Sequence, residues 1–194
     1  ATVYEILNQT TSTWVIATTT ELSYTVSNIS PNTEYTFGLR GIEVTTGEYS
    51  STITYTTTTL PLVPTAPSGL TVSLRTSTSL TLDWTDNASG QSQETSVAVL
   101  RSTDDSTYST VATIGADSTF YTLSELTPNK IYYFKISAIN AAGSGISLVT
   151  STATVVMPPS ELAAGASTPT SIPFTWSSNG NEDGTVYQIL NNTT

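Results

Sequence analysis

Asn179, Asn181, Asp183 and Gly184 repeat the first half of a calcium loop, in which oxygen-bearing side chains at alternate positions precede a glycine that bends the chain around the ion. Such a loop requires a bidentate Glu at its twelfth position. Leu190 stands there, so the four residues read as ordinary turn formers. The stretch Asp86 to Gly90 lacks even that spacing. Two acid pairs, Asp104 with Asp105 and Glu182 with Asp183, offer carboxylates for general acid and base work. Both fall in turn-like stretches, and nothing sets two carboxylates across a cleft as a glycosidase needs. His and Cys are absent. That removes the commonest catalytic base, the thiolate nucleophile and the usual zinc ligands. No catalytic, metal or cofactor residue is assigned, and the chain is expected not to be an enzyme. Asn8, Asn28, Asn87, Asn191 and Asn192 each open an N-x-S/T triplet. Thr-rich sequence generates such triplets by chance, and a glycan on them would report exposure alone.

The elements that carry these residues are strands and turns. About one residue in five is Thr, while charged residues make up only 10%, well below the quarter of an ordinary globular domain. A β-branched, weakly charged surface suits sheets. Fifteen Asp and Glu against five Lys and Arg give a net charge of -10, too few cations to neutralise phosphates, so nucleic acid and anionic membrane are disfavoured as partners. No apolar run approaches a membrane span, and the first residues do not read as a signal peptide. From Pro67 to Val155 seven short strands are expected: Gly69 to Leu74, Leu80 to Trp84, Ser96 to Arg101, Thr110 to Ile114, Thr119 to Leu123, Ile131 to Asn140 and Ile146 to Thr154. Leu80, Leu82 and Trp84 share one face by the period of two, as do Tyr132, Phe134, Ile136 and Ala138, so two inner faces are available to meet.

Two internal repeats organise the rest. Thr2 to Thr11 (TVYEILNQTT) returns as Thr185 to Thr194 (TVYQILNNTT) with two differences. The pattern Leu126, Pro128, Tyr132, Phe134 returns as Ile29, Pro31, Tyr35, Phe37. In the second pattern the Pro fixes a corner and the Tyr can bury its ring while its hydroxyl bonds back to corner backbone, as in the tyrosine corner of immunoglobulin-like sandwiches.

With its Trp84, corner residues Leu126 and Pro128, and corner Tyr132, the segment Pro67 to Val155 resembles a fibronectin type III domain, of the kind common in large bacterial secreted and surface proteins. The resemblance implies an all-β fold of immunoglobulin-like seven-stranded sandwiches in tandem, with a central core of Trp84, Leu126, Tyr132 and Phe134. Pro159, Leu162, Ile172, Phe174 and Trp176 reproduce Pro67, Leu70, Leu80, Leu82 and Trp84, so the tail resembles the first three strands of another such domain. Residues 1–65 resemble the remainder: Val3 to Asn8, Thr13 to Ala17, Ser23 to Val26, Glu34 to Ile42 and Ser51 to Thr58. The expected division is therefore 1–65 for the later part of one sandwich, 66–156 for a complete one and 157–194 for the first part of the next, the chain beginning and ending in the same strand.

A half sandwich leaves strand edges unpaired and an apolar face open to water. Either the polypeptide continues as a repeat array, or the tail of one copy completes the head of the next. In both cases the expected partner is the protein itself, through an inter-repeat core of Trp176, Phe174, Tyr187, Tyr35 and Phe37. Leu60 to Pro67 and Val156 to Ser160 are Pro-bearing boundaries that stiffen the joints. The resemblance points to an extracellular or cell-surface structural fibre. The alternatives are an adhesin or binding module holding a surface glycan or protein, where Trp14 is the aromatic left without a core position, and a spacer in a secreted hydrolase.

Overall fold

The computed structural model describes residues 2–10 and 14–191. Thr13, Asn192 and the side chain of Trp14 lie outside them. Strands β1 (Thr2–Asn8), β2 (Trp14–Thr19), β3 (Glu34–Glu43) and β4 (Ile53–Thr58) form one antiparallel sheet in the order β2-β1-β3-β4. The central segment follows with β5 (Ser68–Arg75), β6 (Leu80–Thr85), β7 (Ser96–Ser102), β8 (Ser109–Gly115), β9 (Phe120–Leu123), β10 (Ile131–Asn140), β11 (Gly143–Ile146) and β12 (Thr150–Ala153). In the tail, β13 (Ser160–Ala164) and β14 (Phe174–Ser177) make a two-stranded ladder.

In the centre, a sheet ordered β5-β6-β9 faces one ordered β11-β10-β7-β8, to which β12 adds along β10. This is an immunoglobulin-like sandwich, and the alternation read from the sequence sets its inner faces. Leu80, Leu82, Trp84, Val97, Val99, Leu123, Leu126, Tyr132, Phe134 and Ile136 make one buried cluster. Each large apolar side chain removed from water there contributes about 1.5–3 kcal/mol. The sixth of the seven expected strands has the bounds read from sequence, and the first five agree to within about two residues. The seventh does not run unbroken from Ile146 to Thr154. Between β11 and β12 the Ile136 N–H donates to the Ser147 hydroxyl at 2.9 Å, where a regular ladder would offer a carbonyl, and Leu148 is thrown out to solvent. The interruption is a bulge, which periodicity does not reveal.

The corner works through one hydroxyl. The Thr127 N–H donates to the Tyr132 hydroxyl at 3.0 Å while the ring is buried beside Phe134. Tyr132→Phe should cost about 1–3 kcal/mol in urea unfolding, because it leaves a part-buried N–H unpaired with packing otherwise intact.

Candidate functional site

The first sheet carries the same corner. The Ser30 N–H donates to the Tyr35 hydroxyl at 2.9 Å, as Thr127 does to Tyr132. The Thr33 N–H donates to Thr59 Oγ1 at 3.0 Å, as Lys130 does to Thr154 Oγ1 at 3.1 Å. Asn28 and Asn32 sit at positive φ, 59° and 47°, as Glu125 and Asn129 do at 58° and 54°. These bonds and turns set β3 and β4 beside β10 and the β11–β12 edge, in a sheet whose order, β2-β1-β3-β4, runs as β8-β7-β10-β11 does in the central sandwich.

The tail matches the opposite sheet. Thr168 and Ser171 join hydroxyls at 2.7 Å across the turn before β14, as Thr76 and Ser79 do before β6, also at 2.7 Å. Asn179 Nδ2 donates to the Pro158 carbonyl at 2.9 Å, as Asn87 Nδ2 does to Ala66 at 2.8 Å. Three of the four residues that imitate a calcium loop thus have structural roles. Asn179 ties the loop to the linker, and Gly184, at φ 85°, supplies a left-handed turn. Asn181 is buried, with Oδ1 accepting from the Met157 N–H and Nδ2 donating to the Met157 and Ser178 carbonyls. Asn181→Ala should speed hydrogen exchange at the Met157 amide by about tenfold or more, since its side-chain acceptor disappears.

These clasps hold both linkers to the central sandwich. At one end the Leu62 N–H donates to the Gln91 carbonyl at 2.8 Å, and Asn140 Nδ2 donates to the Leu62 carbonyl at 2.7 Å. Gly145 lies under the same linker, where a Cβ would come within 2.3 Å of the Pro64 carbonyl oxygen. At the other end the Glu182 N–H donates to the Pro128 carbonyl and Lys130 Nζ meets Glu182 Oε1, each at 2.9 Å. The Glu182 carboxylate holds the Lys130 ammonium above its ordinary pKa.

Ser23 to Val26, expected as a strand, is not one. Its central counterpart β9 pairs only with β6, and the equivalent of β6 is β14 in the tail. Val186 to Leu190 is likewise without a ladder, because the counterparts of its neighbours lie in the first sheet. A strand needs a partner as well as propensity.

One apolar face of the first sheet is open. Tyr4, Ile6, Phe37, Leu39 and Tyr55 line a cavity of about 380 Å³ with Leu22 and Tyr24 across it. Leu39 is 38% exposed where its counterpart Ile136 is 0%, and Trp176 is 39% exposed against 6% for Trp84. The five residues expected in one inter-repeat core lie in two groups: Tyr35 stacks on Phe37 at 5.7 Å, and Trp176 meets Tyr187 edge-on at 5.9 Å, with Phe174 beside Trp176 on β14 and also part-exposed.

Sequence reasoning missed two groups. Asp86, Glu94 and Asp117 bring carboxylate oxygens within 4.8 Å of one another. Buried Glu94 accepts the Asp117 N–H at 2.7 Å, and Gln93 Nε2 donates to both Glu94 and Asp117, so the group clasps loops. In the first sheet Glu5 meets Arg40 at 2.6 Å, with the guanidinium 3.7 Å over the Tyr49 ring. The duplicate strand carries Gln188 in place of Glu5, so only β1 can form that ion pair. Of the acid pairs, Asp104 is a turn residue: the Ser102 hydroxyl and the Thr107 and Ser106 N–H groups hold its carboxyl well below the usual range. Of the triplet Asn residues, Asn28 is exposed, Asn8 is buried in the sheet with Oδ1 accepting from Thr10, and Asn87 has its amide nitrogen bonded to Ala66 and Ser68.

Residues 65–153 match the fibronectin type III domain. The matched segment is the central sandwich, called the type III module below. Among solved structures, domains A168-A170 from titin align with a TM-score of 0.56 at 18% identity, over 80% of this chain and 54% of that one. The chicken CNTN1 FN1-FN3 domains align at 0.48 and 17% identity, over 79% and 54%. An FN3 domain of human collagen XX aligns at 0.41 and 23%, over 49% and 95%. The chain thus spans about half the length of the two multidomain structures. No curated protein matches. The titin likeness extends over most of the chain and bears on fold alone: sandwiches in tandem.

Proposed function

We propose that the chain is a repeat of an extracellular or cell-surface structural fibre, built end to end as the tail of one copy completes the first sheet of the next. The observation that carries this reading is complementarity: the head has the corner, an open apolar face and a strand segment without a ladder, while the tail has the strands that segment needs. Completion buries Phe174, Trp176, Phe37 and Leu39 together, an obligate type of interface resembling a domain core cut in two. Between completed sandwiches stand the clasped joints, with Pro61, Pro64 and Pro67 in one linker and Pro158 and Pro159 in the other. Proline and backbone hydrogen bonds favour a rod over independently swinging beads. Negative charge keeps such rods from associating sideways. An extracellular placement follows the secreted and surface proteins that the type III module resembles.

Sedimentation velocity over a range of concentrations tests this. The expected result is a series of species at multiples of 20.5 kDa, collapsing to 20.5 kDa in denaturant. A single 20.5 kDa species at every concentration would contradict it.

A further inference from the structure

We infer that Ser23 to Val26 of one copy pairs antiparallel with β14 and the residues before it in a second copy, in one register: Val26 opposite Ile172, Thr25 opposite Pro173, Tyr24 opposite Phe174 and Ser23 opposite Thr175. This rests on the end-to-end reading and adds the ladder that makes it specific.

The register comes from the type III module. There β6 pairs β9 with Leu80 opposite Leu123, Thr81 opposite Thr122, Leu82 opposite Tyr121 and Asp83 opposite Phe120. Each side of the transfer is fixed by its own landmark. On one side the Thr168–Ser171 turn and the Asn179 clasp equate Trp176 with Trp84. On the other, the corner hydroxyl bonds and the positive φ of Asn28 and Glu125 equate Val26, two residues earlier, with Leu123.

Pro173, which cannot donate, fits this register. Its carbonyl accepts from the Gly165 N–H at 2.9 Å, and both backbone groups of one residue point to the same side of an antiparallel strand. The missing donor therefore faces β13. Ile172, Phe174 and Trp176 turn their backbone groups to the unoccupied edge, and Trp176 N–H is placed to donate to the Leu22 carbonyl as Trp84 N–H does to Thr119 at 2.9 Å. Across the strand, Tyr24 meets Phe174 on the core side, where Tyr121 meets Leu82. Thr25 faces Pro173 on the outer side, where the Thr81 and Thr122 hydroxyls are 2.9 Å apart.

The occupant is a second copy because the chain holds its own head and tail at opposite poles. Asn140, at one end of β10, binds the head linker through Leu62, and Lys130, just before its other end, binds Glu182 of the tail. The ten residues of β10 between them span roughly 30 Å at strand rise.

The chain has no cysteine, so cysteine pairs report the register without background. Pro173→Cys and Thr25→Cys chains, one enlarged by a tag, are mixed and oxidised mildly. A non-hydrogen-bonded cross-strand pair, with Cα atoms about 4.5 Å apart, is within disulfide reach. The expected product is the mixed dimer, more than tenfold above the dimer from either chain alone. Thr81→Cys with Thr122→Cys in one chain is the internal standard and should close within the molecule. If Pro173→Cys couples instead to Ser23→Cys or Val26→Cys, the register is overturned while end-to-end completion stands. If it couples at none of the three positions and the chain sediments only at 20.5 kDa, both readings fail.

Discussion

Trp84→Ala should destabilise the type III module by about 3–5 kcal/mol, the cost of emptying a large aromatic site in a packed core. Trp84 is 6% exposed on β6, between Leu82 and the loop that clasps the linker, and it belongs to the cluster holding Phe134 and Ile136. Its indole N–H meets no protein acceptor among the described residues, so no protein hydrogen bond is lost with it. Trp84→Phe, which removes that N–H and keeps most of the ring, should therefore cost well under half as much. Urea unfolding followed by circular dichroism separates the two. Equal losses from both substitutions would mean that the indole N–H is bonded in solution, or that the site cannot relax around a smaller ring.

Trp176→Ala should do the opposite. The equivalent tryptophan in the tail is 39% exposed in the single chain, so its removal should leave the melting of the type III module within about 0.5 kcal/mol of the parent. Its effect should fall on association. A buried aromatic at the centre of an interface carries about 2–4 kcal/mol, which corresponds to a weakening of roughly 30- to 1,000-fold. Sedimentation of the variant beside the parent reads this directly. A comparable loss in module stability and in association would count against a junction role for Trp176.

Much of this architecture is legible in the sequence because the signals are local. Alternation within Leu80 to Trp84 or Ile131 to Asn140 fixes an inner face whatever lies elsewhere, and the Pro128 to Tyr132 spacing fixes a corner within a few residues. The proposed partition into part, whole and part rests on repeats, which are local comparisons too. What the sequence hid depends on distant partners. Glu5 and Arg40 are 35 positions apart, and Glu94 reaches Asp117 across 23. Asn181 looked like half of a metal loop, because its partner Met157 lies 24 residues upstream. Ser23 to Val26 shows the same limit from the other side. Its residues have strand propensity, but in the single chain no neighbouring strand offers it a ladder, so propensity alone over-assigned it. Of the five residues expected in an inter-repeat core, Tyr35 with Phe37 and Trp176 with Tyr187 form two separate aromatic pairs, with Phe174 on β14 beside Trp176.

The separation of head and tail also gives the Glu5–Arg40 pair a meaning. Both β1 and its duplicate could occupy the same place in a completed sandwich, and only β1 carries the carboxylate that meets Arg40 beneath the Tyr49 ring. A partly buried ion pair distinguishes two otherwise near-identical strands, since placing Gln188 where Glu5 stands would leave the Arg40 charge poorly compensated.

We propose above that head and tail are two parts of one sandwich. A single polypeptide in which Pro159–Gly184 runs directly into Thr2–Thr65, about 90 residues and close to the size of one such domain, puts both parts on one chain. Thermal unfolding of that polypeptide, followed with amide exchange at Ser23 to Val26, is the decisive measurement. The expected result is one cooperative transition with those amides protected; a chain that melts without cooperativity, with the same amides exchanging freely, would contradict the account.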